Sequence, residues 1–291
     1  MKTIYRGIKK NSKFRMYYAF PRFLLDEEVN ANSKITYTML LQELRSNRFK
    51  NKENVDQDLN GQKKVYVYCS QKKLAEKIQV SVPSIKRYFA ELKEAGLIET
   101  VQNEVGELQK IYLLYKLKQK NDLNYGRPFY ITPETEVVDY IKFPDFLNIL
   151  SILPMAKIVY LLLLERSEMS QNKGTKWADE DGWIFVHYTI SSLGSKIHRK
   201  ESVVNEYLRE LRKNGLIETQ QINKKGPSKI YVLIEDWCIT ENGRKSNDES
   251  VFISQLLAEF ISNEKGLDEE PFSDESDEFE NIWLNDDILP F

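Results

Sequence analysis

The chain carries the same text twice. Leu74-Ala75-Glu76-Lys77-Ile78, then Glu91-Leu92-Lys93-Glu94-Ala95-Gly96-Leu97-Ile98-Glu99-Thr100, then Lys110-Ile111-Tyr112-Leu113, return as Leu193-Gly194-Ser195-Lys196-Ile197, Glu210-Leu211-Arg212-Lys213-Asn214-Gly215-Leu216-Ile217-Glu218-Thr219 and Lys229-Ile230-Tyr231-Val232, each 119 residues later. Upstream, Phe20-Pro21-Arg22-Phe23-Leu24 and Lys34-Ile35-Thr36-Tyr37 return as Phe143-Pro144-Asp145-Phe146-Leu147 and Lys157-Ile158-Val159-Tyr160 at an offset of 123, so the second copy lacks four loop residues. A period this long is far beyond that of a solenoid repeat and leaves two copies of one domain. In a chain of 291 residues, each copy is long enough to bury its own core. The boundaries expected are 1–119 for the first copy, a polar, turn-rich linker over 120–135, 136–245 for the second copy and an acidic tail over 246–291.

Periodicity gives each copy one order of elements. A helix is expected from about Ser33 to Arg45, where Ile35, Met39 and Leu44 recur at a helical interval; copy two repeats it, more apolar, from Met155 to Arg166. A polar loop follows (47–64 or 167–182), then a short strand, Val65-Tyr66-Val67-Tyr68 or Ile184-Phe185-Val186-His187. Ser70 and Thr189 stand where an N-cap belongs, since a hydroxyl accepts from the orphan amides of a first helical turn. The helix behind each cap carries Leu74 and Ile78, or Leu193 and Ile197. A second helix carries Ile85, Tyr88, Phe89 and Leu92, or Val204, Tyr207, Leu208 and Leu211, at the spacing of a core-facing stripe. Gly96 and Gly215 suit the left-handed position that ends a helix. Each leads into a Leu-Ile-Glu-Thr strand, a polar loop and a return strand, 111–115 or 230–234. Helix, turn, helix and hairpin form the winged-helix arrangement. The expected fold class is therefore α+β: tandem winged-helix domains, then a short helix over 250–262 and a disordered acidic tail. Such folds lay the second helix in a groove of DNA and the wing along its backbone.

Subtracting the core stripe leaves the residues that can touch DNA. The second helix of copy one exposes Ser81, Ser84, Lys86, Arg87 and Lys93; that of copy two exposes Arg199, Lys200, Ser202, Asn205, Arg209 and Arg212. Hydroxyls and amides at a helix start suit phosphates or base edges, and arginine can take guanine through two hydrogen bonds. An ordinary solvated face would carry the same lysines and arginines. The wings differ. Copy two presents Lys224, Lys225 and Lys229 to phosphate, whereas Glu104 and Glu107 of copy one repel it, leaving copy one to dimerise or to meet DNA through its helix alone.

Charge points the same way. The formal net charge of −2 hides 41 basic against 30 acidic residues in 1–245, and 14 acidic residues against Lys265 alone in 246–291. A basic body suits a polyanionic partner, and an acidic tail is usually solvated. Other chemistries lack their residues. There is no Gly-x-x-x-x-Gly-Lys-Ser/Thr loop for nucleotide phosphates. His187 and His198 lack the cysteine spacing of a zinc site, and Asp179-Glu180-Asp181 lacks the alternating ligands of a calcium loop and sits between Trp177 and Trp183 as a packed turn would. Cys69 aligns with Tyr188 as a strand residue, and with Cys238 it builds no disulfide framework. The opening residues lead into no apolar signal segment, and the run Ile158 to Leu164 is too short for a bilayer. A cytoplasmic protein with no metal, no cofactor, no enzymatic activity and no membrane contact is expected.

Phe143-Pro144-Asp145-Phe146-Leu147, Ala156-Lys157-Ile158-Val159-Tyr160, the loop Trp177-Ala178-Asp179-Glu180-Asp181-Gly182-Trp183 and Gly215-Leu216-Ile217-Glu218 together resemble the N-terminal domain of the initiator A proteins of Gram-positive plasmids. The similarity runs over about residues 140–235 and, more loosely, over copy one. It implies binding to repeated origin sites as a dimer and recruitment of a host replisome. The family pattern occurs once per chain, where here it occurs twice.

The final residues, Trp283-Leu284-Asn285-Asp286-Asp287-Ile288-Leu289-Pro290-Phe291, are similar to the C-terminal tip of bacterial single-stranded-DNA-binding proteins. The resemblance implies docking to host replication or repair proteins, with Pro290 and Phe291 entering an apolar pocket while Asp286 and Asp287 meet basic residues around it. The expected function is DNA binding in plasmid or phage replication, with DNA and host proteins as partners. Two other readings fit the same residues. A single-stranded-DNA-binding protein would use some of the 16 Tyr and 14 Phe to stack bases. An operator-binding transcription regulator would use the same helices and leave the tail without a purpose.

Overall fold

Three short strands open copy one: β1 (Tyr5–Gly7), β2 (Ser12–Phe14) and β3 (Tyr17–Pro21), the last running into a 3₁₀ turn over Arg22–Leu25. The computed structural model describes residues 5–49, 54–57, 61–101, 108–116, 127–172, 175–221 and 228–241. The expected helix at 250–262, the tip at 283–291 and the wing residues Glu104, Glu107, Lys224 and Lys225 lie outside these residues.

Local chemistry explains where the helices of copy one begin and end. α1 (Ala31–Phe49) starts ahead of its apolar pattern behind Asn30, whose side-chain oxygen accepts from the Ser33 amide at 2.9 Å, and it runs on past Arg45 to Phe49. A hairpin of β4 (Asn54–Gln57) and β5 (Lys63–Cys69) follows, β4 falling where a loop was expected. Ser70 caps α2 (Gln71–Lys77) by accepting from the Lys73 amide, and Ser81 caps α3 (Val82–Glu94). α3 stops at Gly96, φ +64°, where the Leu97 amide reaches back to the Leu92 carbonyl and the Gly96 amide to that of Lys93, both at 2.9 Å. β6 (Ile98–Val101) and β7 (Gln109–Tyr115) complete the sheet, in the order β4-β5-β7-β6.

Copy two repeats this order: β8 (Phe129–Tyr130), β9 (Tyr140–Pro144), a 3₁₀ turn over Asp145–Asn148, α4 (Pro154–Gln171), α5 (Ile190–Ile197) capped by Thr189, α6 (Glu201–Lys213), β10 (Ile217–Gln221), β11 (Ser228–Glu235) and β12 (Ile239–Glu241). Gly215, φ +69°, ends α6 as Gly96 ends α3. The strand expected at 184–187 is reduced to isolated bridges, among them Ala178 with Ile184 and Val186 with Ile230. In place of the four-residue ladder that β4 gives copy one, copy two has a turn in which the Asp179 carboxylate accepts from the Asp181 and Trp183 amides. Among the described residues no group of three or more potential metal ligands occurs.

The two copies meet through their own repeated segment. β3 and β9 pair antiparallel, Ala19 facing its counterpart Lys142, Tyr18 facing Phe143 and Phe20 facing Ile141. The contact is nearly self-complementary: Ala19, Phe20, Ile141 and Phe143 are buried, and Tyr17 stacks on its counterpart Tyr140. The Arg22 amide donates to the Asp139 carbonyl, and the equivalent Asp145 amide to that of Met16. Charges close the seam. Arg22 bridges Asp139 and Glu165, Lys142 pairs with Glu168 at 2.8 Å, and Tyr18 donates to Asp145.

The leading strands are exchanged between copies. β1 pairs with β11 of copy two, and β8 pairs with β7 of copy one. The Ile184 amide donates to the Ile8 carbonyl at 2.7 Å, and the equivalent Val65 amide to that of Ile131 at 3.0 Å. Gln171 donates to the carbonyls of Lys9 and Ser12, and its counterpart Arg48 to those of Thr132 and Thr135. Residues 129–131, within the stretch that composition assigns to a linker, thus join the first copy's sheet, and Ile131 is buried there.

Candidate nucleic-acid interface

α3 buries Ile85, Tyr88, Phe89 and Leu92, which turns Lys86, Arg87, Ala90 and Lys93 outward, all exposed. The helix is pinned to α1: Glu91 accepts from the Asn30 amide at 2.6 Å and from the Ser33 hydroxyl, and Asn32 donates to the Tyr88 hydroxyl at 2.8 Å. Ser81 and Ser84, expected at DNA, are first occupied with each other. The Ser81 hydroxyl accepts from the Ser84 amide and lies 2.9 Å from the Ser84 hydroxyl, at the mouth of the helix.

α6 does the same in copy two. Val204, Leu208 and Leu211 are buried, Asn205 is half-buried, and Lys200, Ser202, Glu206, Arg209 and Arg212 are exposed. Lys200, exposed, occupies the N-cap position without a side-chain cap. Arg199 lies in the turn, donating to the His198 carbonyl at 3.1 Å, where His198 takes the left-handed conformation that closes α5. The expected reader residues that the structure describes therefore fall on the outward side of α3, of α6 and of the turns before them.

Lys229 departs from that group. It sits on β11 opposite Gln220, with its ammonium 4.5 Å from the Phe185 ring. Its counterpart Lys110 lies 4.5 Å from the ring of Tyr66, the residue equivalent to Phe185. Each lysine belongs to an aromatic cluster: Tyr66, Tyr68, Tyr112 and Tyr130 in copy one, Trp177, Phe185, His187 and Tyr231 in copy two. In copy one Asp56 accepts from both Lys110 and the Tyr112 hydroxyl. These clusters were missed in sequence because alternate aromatics in a strand read as core, although the 119-residue register already matched Lys110 to Lys229 and Tyr112 to Tyr231. Cys69, at the end of β5, is half-buried, and burial pushes its thiol up to about 12.

The repeated Lys-x-x-Tyr pattern is architectural. Lys34 and Lys157 are buried with their ammonium groups on the Leu25 and Asn148 carbonyls, which end the two 3₁₀ turns. The hydroxyls of Tyr37 and Tyr160 donate to the Leu114 and Leu233 carbonyls, both at 2.9 Å. Burial lowers both lysines to about 8; around Lys34, Glu27, Asp26 and Glu91 oppose that shift while Arg199 reinforces it.

No curated protein matches the chain. Among solved structures, one of the N-terminal domain of a DNA-binding protein shares 18% identity, covering 41% of this chain and 78% of that chain with a TM-score of 0.28. One of a Rep–DNA complex also shares 18% identity, covering 46% of this chain and 91% of that chain with a TM-score of 0.31. The sequence family described as replication initiator protein A (RepA) N-terminus matches residues 16–125 and 140–242, two segments that coincide with the two copies. That match spans well over half of the chain, which belongs to the family of replication initiator protein A N-termini.

Proposed function

We propose that this chain is a DNA-binding replication initiator that engages duplex DNA through α3 and α6 and acts by binding rather than by catalysis. The observation that carries the reading is the duplicated outward face: Lys86, Arg87 and Lys93 on one helix, Lys200, Ser202, Asn205 and Arg209 on the other, each standing opposite a buried apolar stripe. Membership of an initiator family supports it. In this reading Asn205 and Arg209 meet base edges, while Lys224 and Lys225 meet phosphates. Arg209→Ala or Asn205→Ala then costs about 1–3 kcal/mol at the preferred site and flattens the preference, whereas Lys224→Ala with Lys225→Ala lowers the salt slope by roughly 0.9 for each phosphate no longer neutralised. The test is a titration of the chain against DNA surrounding its own gene, random duplex and random single strand. Preference for single strand favours the base-stacking alternative; a duplex site confined to its own promoter favours an operator-binding regulator.

We further propose that the acidic tail recruits host replication or repair proteins through Trp283, Asp286, Asp287, Ile288, Leu289, Pro290 and Phe291. The sequence resemblance supports this, since Ile288, Leu289, Pro290 and Phe291 offer apolar contact and Asp286 and Asp287 offer charge to a basic-rimmed pocket. A synthetic 283–291 peptide should bind the host primosomal helicase or primase, and the Phe291→Ala peptide should not. Equal behaviour of the two peptides refutes the docking role.

A further inference from the structure

β3 meets its own counterpart in the second copy. Ala19 pairs with Lys142, and on either side Tyr18 pairs with Phe143 while Phe20 pairs with Ile141. Exchange of partners about a fixed pair is the mark of a two-fold axis, the relation that joins identical protomers of a C2 dimer through one self-complementary patch. The exchanged arms obey it too: Gly7 pairs with Leu233 where the equivalent Tyr130 pairs with Leu114, and Arg6 with Ile234 where Phe129 pairs with Tyr115. The patch that would join two chains of a single-copy protein is thus occupied within this chain.

The reading helices inherit the same axis. Glu91 ties α3 to the first turn of α1. α3 packs on α1, α6 packs on α4, and α1 packs against α4. Helices related by a two-fold meet duplex DNA as the two halves of an inverted repeat, because protein two-fold symmetry is mirrored in the site. In a homodimer both readers are identical and the halves must match. Here they differ: Lys86 and Arg87 of α3 correspond to Asn205 and Glu206 of α6, Ala90 to Arg209, and Ser81 to Lys200. Lysine and arginine suit guanine, asparagine suits adenine, and glutamate suits cytosine.

We infer that a single chain, without a second copy, reads one duplex site built of two inverted half-sites that differ in sequence, one under α3 and one under α6. This rests on the DNA-binding reading above. The site is not a palindrome, and the chain sits on it in one orientation, which gives a symmetric architecture a direction along DNA.

The experiment is selection from a random duplex library with the full chain, sedimentation of the complex, and a reader exchange. Unlike halves in inverted orientation and one chain per site are expected. A Lys86→Asn, Arg87→Glu, Ala90→Arg variant should shift preference by about tenfold or more toward a palindrome made of two α6 half-sites. The reverse variant, Asn205→Lys, Glu206→Arg, Arg209→Ala, should favour the α3 palindrome, and retention of a defined site by either variant excludes a folding defect. A direct repeat, two chains on one site, or exchange variants that keep the original preference overturn the inference while leaving DNA binding intact. Failure of the unaltered chain to bind duplex with any sequence preference overturns the reading beneath it, and this inference with it.

Discussion

Lys34 and Lys157 carry a burial cost that pH can switch. Each is enclosed by the 3₁₀ turn ahead of its helix, and burial holds each at about 8 against an ordinary 10.5. Between those values the unfolded chain binds more protons at these positions than the folded one, so stability rises with pH across the window and is lowest below about pH 8. Above about pH 10 the trend reverses, because burial keeps Tyr37 and Tyr160 protonated in the folded chain while unfolded tyrosines ionise. Urea unfolding at pH 7.5 and 9.5 should therefore show a gain at the higher pH, on the order of 1–2 kcal/mol per lysine. Lys34→Met with Lys157→Met should remove the gain; an equal gain in the double variant would show that the lysines are not its source. Sequence made these lysines and tyrosines visible only as a repeated motif. Their partners are backbone carbonyls contributed from 9 to 77 residues away, which no side-chain pattern announces.

At the scale of elements, what sequence disclosed is what short-range chemistry decides. Ser70, Thr189, Gly96 and Gly215 bound their helices because a hydroxyl or a missing Cβ acts on the nearest turn. The outward faces of α3 and α6 followed by subtraction, once the buried stripe at helical spacing was removed. The seam and the exchanged arms stayed hidden, since a strand such as Phe20-Pro21 states that it wants an apolar neighbour without naming which one. The strand expected at 184–187 is shorter for a related reason: Val65 and Tyr66 are zipped by β4, whereas among the described residues of copy two Ala178 meets Ile184 through an isolated bridge. The exchange has a consequence that chain order would not suggest. Deleting residues 1–15 should loosen copy two rather than the adjacent copy one, because β1 and Ile8 complete the second sheet and Lys9 covers Trp183 at 4.4 Å. Hydrogen exchange should quicken first at the Ile184 and Val186 amides, through local opening of the second sheet; a quickening confined to copy one would contradict the exchange.

For the whole molecule the balance of charge and the two-fold seam set the behaviour. With 41 basic against 30 acidic residues up to 245 and 14 acidic residues beyond it, the tail can compete with phosphate for the basic faces. Removing 263–291 should tighten DNA binding at low salt and matter little at high salt, where screening shortens the reach of charge; equal low-salt affinities would remove the tail from that role. The claim on which the rest depends is that two copies fold as one body about β3 and β9. Its most direct measurement is native-state hydrogen exchange of β7 and β11 in the unaltered chain and in Phe20→Ala, which empties a fully buried site in the seam. Both strands should open with the same free energy, and Phe20→Ala should lower both together by about 3–5 kcal/mol. A variant in which β7 weakens while β11 keeps its full protection would contradict that claim, and would leave two independent domains joined by a tether.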